Sequence, residues 1–286
     1  MSYSINAYAK INLGLDVLNK RADGYHNLKM IMQTIDLHDT LTFTVSDGEG
    51  ISLECDKSYL SCKEDNLVVR AAKLLMNRYN IHKHVDIFLN KNIPIAAGMA
   101  GGSTDAAATL IAINHLFNLG LDKKKLMEYG VTLGADIPFC ILGGTALSEG
   151  IGDILTPLSA PVDAHILIVK PDIDVSTGFV YGNLKLDDNT PHPDINSIME
   201  VLSTDMKKTG ERLGNILETV TIPAYPIIDC IKECMNNNGA VTSLMSGSGP
   251  TVFGLFDDEN TANQALAHCL TLDNNMFGTI TGYHNN

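Results

Sequence analysis

The sequence predicts an α+β fold in two domains, residues 1–157 and 158–286, and three observations carry that expectation. Residues 5–17 alternate apolar and polar side chains, the period of a strand with one buried face. Residues 92–102 are rich in glycine and small side chains and run into a stretch with helical apolar spacing. Strand and helix patterns then succeed one another without strict alternation, and a turn-rich stretch at 150–160 separates two such sets.

In the first segment Ile5, Ala7, Ala9, Ile11, Leu13, Leu15 and Val17 face one way, and Asn6, Tyr8, Lys10, Asn12 and Asp16 face the other. Lys10 and Asn12 therefore project from the same polar face. Asp23-Gly24 marks a turn, after which residues 30–37 and 40–45 read as two strands separated by His38-Asp39. Residues 66–79 fit an amphipathic helix with Leu67, Ala71, Leu74 and Leu75 on one side, and 85–89 return as a strand. Ser103 occupies the expected N-cap of the next helix, in which Ala106, Ala107, Leu110, Ile111, Asn114 and Phe117 follow at helical spacing as far as Gly120. Further along, 124–133 suggest a helix and 140–147 a strand. In the second domain 164–169 and 251–256 suggest strands, and 195–202, 227–236 and 262–270 suggest helices.

The chain has 286 residues, of which 45% are hydrophobic and 19% charged, a globular composition. Folding at this size buries about 73% of the extended chain's surface, so the core needs no disulfide or metal. Twenty Lys and Arg against 33 Asp and Glu leave a net charge of −13, which excludes a nucleic-acid partner because phosphate backbones demand a basic surface. An anionic ligand must then be held by a local site. No segment approaches the roughly 18 apolar residues of a membrane span, and no signal core opens the chain; the expected location is cytoplasmic, as a monomer or homodimer. Cys55, Cys62, Cys140, Cys230, Cys234 and Cys269 form no C-x-x-C pair, so reduced thiols are expected, with Cys230 and Cys234 as two buried residues of one helix.

The most informative stretch is the loop from Pro94 through Gly98, Met99, Ala100, Gly101, Gly102, Ser103 and Thr104. Small residues let backbone N–H groups approach a ligand, and the helix behind adds partial positive charge, so the loop suits a phosphate; a plain tight connection is the alternative. No Gly-Lys dipeptide and no G-x-G-x-x-G occurs, which excludes P-loop and Rossmann phosphate sites. Asp105 is expected in the first helical turn, capping or orienting loop groups. A second glycine cluster at 243–251 could close over a ligand or be ordinary turn chemistry.

Lys10 is unusual because lysine is depleted in strands, although a solvated strand lysine is the common case. Asp136, in Gly134-Ala135-Asp136-Ile137-Pro138, is a lone carboxylate among apolar residues that needs a partner when buried. A lysine beside a carboxylate would make a general-base unit. Tyr25 and His26 after the turn could stack on and hydrogen-bond a nucleobase. His82 and His84 would share a strand face, with no further ligand to complete a metal set.

Taken in order, Ala9-Lys10-Ile11-Asn12-Leu13-Gly14, Arg21-Ala22-Asp23-Gly24-Tyr25-His26, the 94–107 loop, the Asp136 segment and Ser246-Gly247-Ser248-Gly249-Pro250 resemble the GHMP kinases. The resemblance implies an N-terminal domain like domain 2 of ribosomal protein S5 and a ferredoxin-like C-terminal domain. Within the family it points to members that move the γ-phosphoryl of ATP to the 2-hydroxyl of 4-diphosphocytidyl-2-C-methyl-D-erythritol, in non-mevalonate isoprenoid synthesis. By that resemblance Asp136 takes the hydroxyl proton and Lys10 orients Asp136 and stabilises charge. Asn12, Tyr25, His26 and Tyr181 bind the cytidylated substrate. Asn66 lies near the adenosine, though it serves equally as a helix N-cap, and the loop from Pro94 to Thr104 binds ATP. Mg2+ is expected with ATP; Ser103 is its best candidate ligand and no carboxylate is assigned to it.

Overall fold

The structure, a computed structural model, describes residues 1–187 and 190–285. Two compact units are built from interleaved pieces: Met1–Ala9, Leu37–Ile95 and Ala100–Leu142 form the first, and Lys10–Asp36, Ala96–Met99 and Gly143–Asn286 the second. These are packing units; the division of the chain after residue 157 stands as a proposal for its domains in sequence order. Strands β1 (Ser2–Lys20) and β2 (His26–Ser46) each contribute to both units and pair with one another.

Two expectations about these strands are corrected. The alternation in β1 predicts one wet face, yet every residue from 9 to 17 is buried: the polar side chains at 10 and 12 have partners described below, and Asp16 Oδ1 accepts Val17 N at 2.9 Å and pairs with His192 Nδ1 at 2.7 Å. The break expected at His38-Asp39 does not occur, and β2 runs through it. Asp39 is fully buried there, and its Oδ1 accepts the backbone N–H groups of Asn92 (2.6 Å) and Ile93 (2.8 Å), so the carboxylate is satisfied without a turn.

In the first unit β2 pairs antiparallel with β4 (His84–Asn90), Thr40 opposite Asn90, and β4 pairs in parallel with β3 (Gly50–Cys55). Helices α1 (Leu67–Arg78), α2 (Gly101–Leu116), α3 (Lys123–Gly130) and α4 (Ile137–Leu142) complete it. Asn66 caps α1 by accepting Val68 N at 2.9 Å, and Val68, Ala71, Ala72 and Leu75 turn inward at helical spacing. They meet Leu41, Phe43, Val85 and Ile87 of the sheet and Ala106, Leu110 and Ile113 of α2 in one core. Burying Phe43 alone contributes about 1.5–3 kcal/mol. The strand expected at 140–147 is instead the end of α4 followed by β5 (Thr145–Gly150). A short apolar run does not distinguish a buried strand from a buried helix, and Gly143 and Gly144, both at positive φ, separate the two elements.

In the second unit the first half of β2 pairs antiparallel with β5, Leu28 opposite Gly150, and β5 pairs with β6 (Ile154–Pro157). The stretch 150–160 thus holds a strand as well as turns. Next come β7 (His165–Lys170), α5 (Thr177–Asn183), α6 (Ile195–Val201), α7 (Met206–Arg212) and α8 (Glu218–Ala224). The chain ends through α9 (Ile227–Asn237), β8 (Thr242–Met245), β9 (Val252–Phe256), α10 (Glu259–Cys269) and β10 (Phe277–Thr281). The sheet order β10-β7-β9-β8 is antiparallel throughout. Strand β7 followed by α9, β8, β9, α10 and β10 is a βαββαβ unit of ferredoxin type, with α5 to α8 inserted. Cys230 is exposed rather than buried, and all six cysteines are free thiols. Among the described residues no helix is long and apolar enough to cross a membrane.

Candidate active site

In the second unit a buried lysine organises three segments. Lys10 is 5% exposed. Its backbone N–H donates to Met99 O at 3.2 Å, and its Nζ donates to Asn12 Oδ1 at 2.7 Å and to Gly98 O at 3.1 Å. Asn12, 1% exposed, points its Nδ2 at Met30 Sδ, 3.3 Å away. A buried ammonium is tolerated only with acceptors around it; two of its three N–H bonds have them among the described residues, which leaves one for a ligand oxygen. The solvated strand lysine is therefore set aside, and the expected grouping of Lys10 with Asn12 is found.

Gly98 is required where it stands. Its φ is +70°, and a Cβ there would lie 2.2 Å from Ser246 O and 3.0 Å from Gly249 O. Ser246 Oγ donates to Gly98 O at 3.1 Å, so the second glycine cluster packs directly against the first loop. Met99 turns its side chain inward, fully buried. Ala96 and Ala100 also adopt positive φ, +52° and +59°, a conformation that costs an alanine about 1–2 kcal/mol and is typical of loops held in shape for function.

Ala100 is the N-cap of α2 and lends it no side-chain hydrogen bond. The cap expected at Ser103 is corrected accordingly: Ser103 lies inside the first turn, and Ala100 O accepts Thr104 N at 2.9 Å. Left without a side-chain cap, the N–H groups of Gly101, Gly102 and Ser103 have no intrahelical acceptor and stand at the positive end of a 16-residue helix. Thr104 Oγ1 is spent on Tyr8 O at 2.6 Å, so that residue's side chain holds α2 to β1. Pro94, half-buried, opens the loop.

Sequence reasoning missed the charge cluster beneath this helix. Lys91 Nζ donates to Asp39 Oδ2 and, at 2.9 Å, to Asp105 Oδ2, with all three side chains at most 4% exposed. Asp105 sits in the second turn, not the first, and pairs with a lysine rather than capping the loop. Burial, then repulsion from Asp39, outweighs the attraction of Lys91 and pushes its carboxyl up to about 8. For Lys91 burial acts to lower the ammonium, but Asp105 and Asp39 together raise it. A Cβ at Gly101 would come within 2.9 Å of Lys91 Nζ, so glycine there makes room for the ammonium.

Asp136 is half-buried immediately before α4, its carbonyl accepting Cys140 N at 3.1 Å. It belongs to the first unit and Lys10 to the second. The amide of Asn66 is engaged at both ends, accepting from Val68 N and donating to Ser61 O at 2.7 Å, so its role as a helix cap is found. Of the expected base platform, the rings of His26 and Tyr181 lie with centroids 5.2 Å apart and tilted by 36°, whereas Tyr25 is 61% exposed on the turn. Gly24 at φ +88° and the bond from Tyr25 N to Asp23 Oδ1 (3.1 Å) shape that turn. Burial, then the charge of Lys20, lowers the His26 pKa below its usual 6.5. His82 and His84 each face a carboxylate, Glu49 and Asp86. Among the described residues no cluster of three or more His, Cys, Asp or Glu could hold a metal. The groups present fit Mg2+ only if phosphate oxygens, water and a hydroxyl such as that of Ser103 supply its ligands.

Residues 66–144 match the GHMP kinases N terminal domain and residues 197–270 the GHMP kinases C terminal domain. A 4-diphosphocytidyl-2-C-methyl-D-erythritol kinase of Lachnoclostridium phytofermentans is 49% identical over 264 residues, covering 92% of this chain and 91% of that one. The chain belongs to the GHMP kinase family. Its counterpart from Lachnospira eligens, of the same name, is 48% identical over 90% of each chain. A crystal structure of 4-(cytidine 5'-diphospho)-2C-methyl-D-erythritol kinase superposes with a TM-score of 0.83 at 32% identity, covering 98% of this chain and 99% of that one. A homoserine kinase of Cytophaga hutchinsonii shares the fold, with a TM-score of 0.81 at 20% identity over 100% and 95% of the two chains. The α+β, two-domain architecture expected from the sequence is thus that of a GHMP kinase, a family that uses ATP.

Proposed function

We propose that this GHMP kinase transfers the γ-phosphoryl of ATP to the 2-hydroxyl of 4-diphosphocytidyl-2-C-methyl-D-erythritol, as a step of non-mevalonate isoprenoid synthesis in the cytoplasm. What supports the acceptor most directly is the 46–49% identity, over about nine-tenths of the chain, to relatives bearing that enzyme name. Asp136 takes the proton of the 2-hydroxyl, the hydroxyl oxygen attacks the γ-phosphorus, and the bond to the β-phosphate oxygen breaks to release ADP. Lys10, pre-oriented by Asn12 and Gly98, orients Asp136 and turns its remaining N–H toward developing negative charge. Phosphoryl transfer is accelerated mainly by such positioning and charge stabilisation.

The N–H groups of Gly101, Gly102 and Ser103, with the loop from Pro94 to Ala100, hold the ATP phosphates; Thr104 braces the loop, and the adenosine lies by Asn66. Mg2+, when bound with ATP, neutralises phosphate charge, and Ser103 is the residue that would hold it. Asn12, Tyr25, His26 and Tyr181 recognise the cytidylated acceptor, the rings stacking on the base while His26 reads its edge. The enzyme acts as a monomer or homodimer.

ADP release measured with magnesium-ATP and a panel of acceptors tests the reading. Turnover confined to the cytidylated methylerythritol is expected; turnover of homoserine or mevalonate instead would overturn the acceptor assignment. In the same assay Asp136→Asn is expected to lose about 100- to 10,000-fold in kcat with ATP binding retained, the range for a general base. An unchanged rate would remove Asp136 from the mechanism.

A further inference from the structure

The loop between β8 and β9 is held from behind by a pair of side chains that no motif of the sequence drew attention to. Asn215 is 6% exposed. Its Nδ2 donates to Met245 O and to Gly247 O, both at 2.8 Å, and its Oδ1 accepts Leu217 N at 2.9 Å. One turn on, Glu218 Oε1 accepts Met245 N at 2.8 Å while its Oε2 pairs with Lys232 at 2.6 Å. The segment that carries Asn215 is itself tied to β1, since Leu15 N donates to Gly214 O (2.9 Å) and Ile216 N to Leu15 O (3.0 Å). Asn215 therefore fixes the second glycine loop to the strand that bears Lys10.

From that loop the contacts lead to the lysine without a gap. Ser246 lies between the two carbonyls that Asn215 holds, and its Oγ donates to Gly98 O. The same oxygen accepts Lys10 Nζ. Space along this path is closed: a Cβ on Gly247 would stand 3.1 Å from Gly98 O and 3.5 Å from Asn12 Oδ1. A shift of residues 245–247 must therefore move Gly98 O, and with it the ammonium.

We infer that Asn215 is a positioning residue for phosphoryl transfer, setting the Lys10 ammonium through Gly247, Ser246 and the carbonyl of Gly98. This rests on the reading, proposed above, that Lys10 acts in the transfer step. An amide is required because it supplies two donors and one acceptor at once. Asn215→Asp keeps the shape and the acceptor but sets a carboxylate oxygen against two carbonyl oxygens.

The test is a double-mutant cycle in which kcat, KM for ATP and the thermal midpoint are measured for Asn215→Asp, Lys10→Met and the pair. Asn215→Asp alone is expected to lower kcat by about 10- to 100-fold, the cost of roughly an ångström of misplacement, with a smaller change in KM. In the Lys10→Met background it is expected to change kcat by less than about twofold, because residues acting through one path are not additive. A full additional loss in that background, or a lowered midpoint with an unaltered kcat, would show a structural role only and overturn the inference. If Lys10→Met itself leaves kcat unchanged, the role of Lys10 fails first, and this inference with it. Should Asn215→Asp not fold, Ser246→Ala removes the hydrogen bond to Gly98 O and no backbone contact; the same cycle with that variant decides the matter by the same two outcomes.

Discussion

His26 shows how a single environment sets what a side chain can read. Its ring is tilted against Tyr181 at 5.2 Å, and burial, followed by the nearby Lys20 charge, lowers its pKa from 6.5. Near neutral pH the ring is therefore neutral, with one donor and one acceptor nitrogen, the complement of a cytosine edge that offers both kinds of group. Because the folded-state value is the lower one, the contribution of neutral His26 is present above the ordinary value and is lost as pH falls through the folded value. The expected outcome is a KM for the cytidylated acceptor that rises as the pH is lowered from neutral through the folded value below 6.5, while KM for ATP stays level. His26→Ala is expected to raise the acceptor KM by about 5- to 100-fold at neutral pH, the effect of about 1–3 kcal/mol, and to abolish the pH dependence. Steady-state kinetics at a series of pH values checks both, and a pH dependence surviving in His26→Ala would assign it to another group.

At the scale of elements, the Lys91 cluster joins β2, the end of β4 and α2, and so fixes the helix whose N-terminus faces the phosphates in the proposed mechanism. Three buried ionisable groups are costly to assemble and costlier to leave incomplete. Asp105 carries the strain, since its Oδ1 is buried with no hydrogen-bond partner among the described residues and its carboxyl titrates at about 8 instead of 3.8. Between those two values the folded protein holds a proton that the unfolded chain has released, so this group makes stability fall as pH rises through that window. Asp105→Asn mimics the protonated acid, keeps an acceptor for Lys91 and removes the titration. Urea unfolding at pH 6 and pH 9 is expected to show a smaller loss of stability for Asp105→Asn than for the parent; an equal loss would locate the pH dependence elsewhere. Lys91→Met, which strands two acids, is expected to destabilise by about 3–5 kcal/mol at neutral pH.

Across the whole molecule, what was legible in the sequence was what local chemistry marks, and what was hidden was what only tertiary contact creates. Lys10 stood out because a strand disfavours lysine, and the 94–104 loop because side chains are missing from it. The left-handed alanine that caps α2 leaves no trace in composition, so the serine three residues on drew the cap to itself. Asp39, Lys91 and Asp105 share no spacing, nor do Asn215 and Gly247; each set meets only after the chain has folded back over 14 to 52 residues. Helix α5, which carries Tyr181, spans seven residues with one buried side chain, too short for periodicity to reveal. These pieces act together only if the two ligands bind separable parts of one folded chain, and unfolding measures that directly. A ligand at about 100 times its Kd adds about 2.7 kcal/mol to the native state, which for a chain of this size raises the midpoint by about 4–5 °C. Magnesium with a non-hydrolysable ATP analogue is expected to raise the midpoint equally in the parent and in His26→Ala, whereas the cytidylated acceptor raises it less in His26→Ala than in the parent. Loss of the nucleotide shift in His26→Ala, with the acceptor shift kept, would exchange the two pockets and move the base-reading role away from His26 and Tyr181.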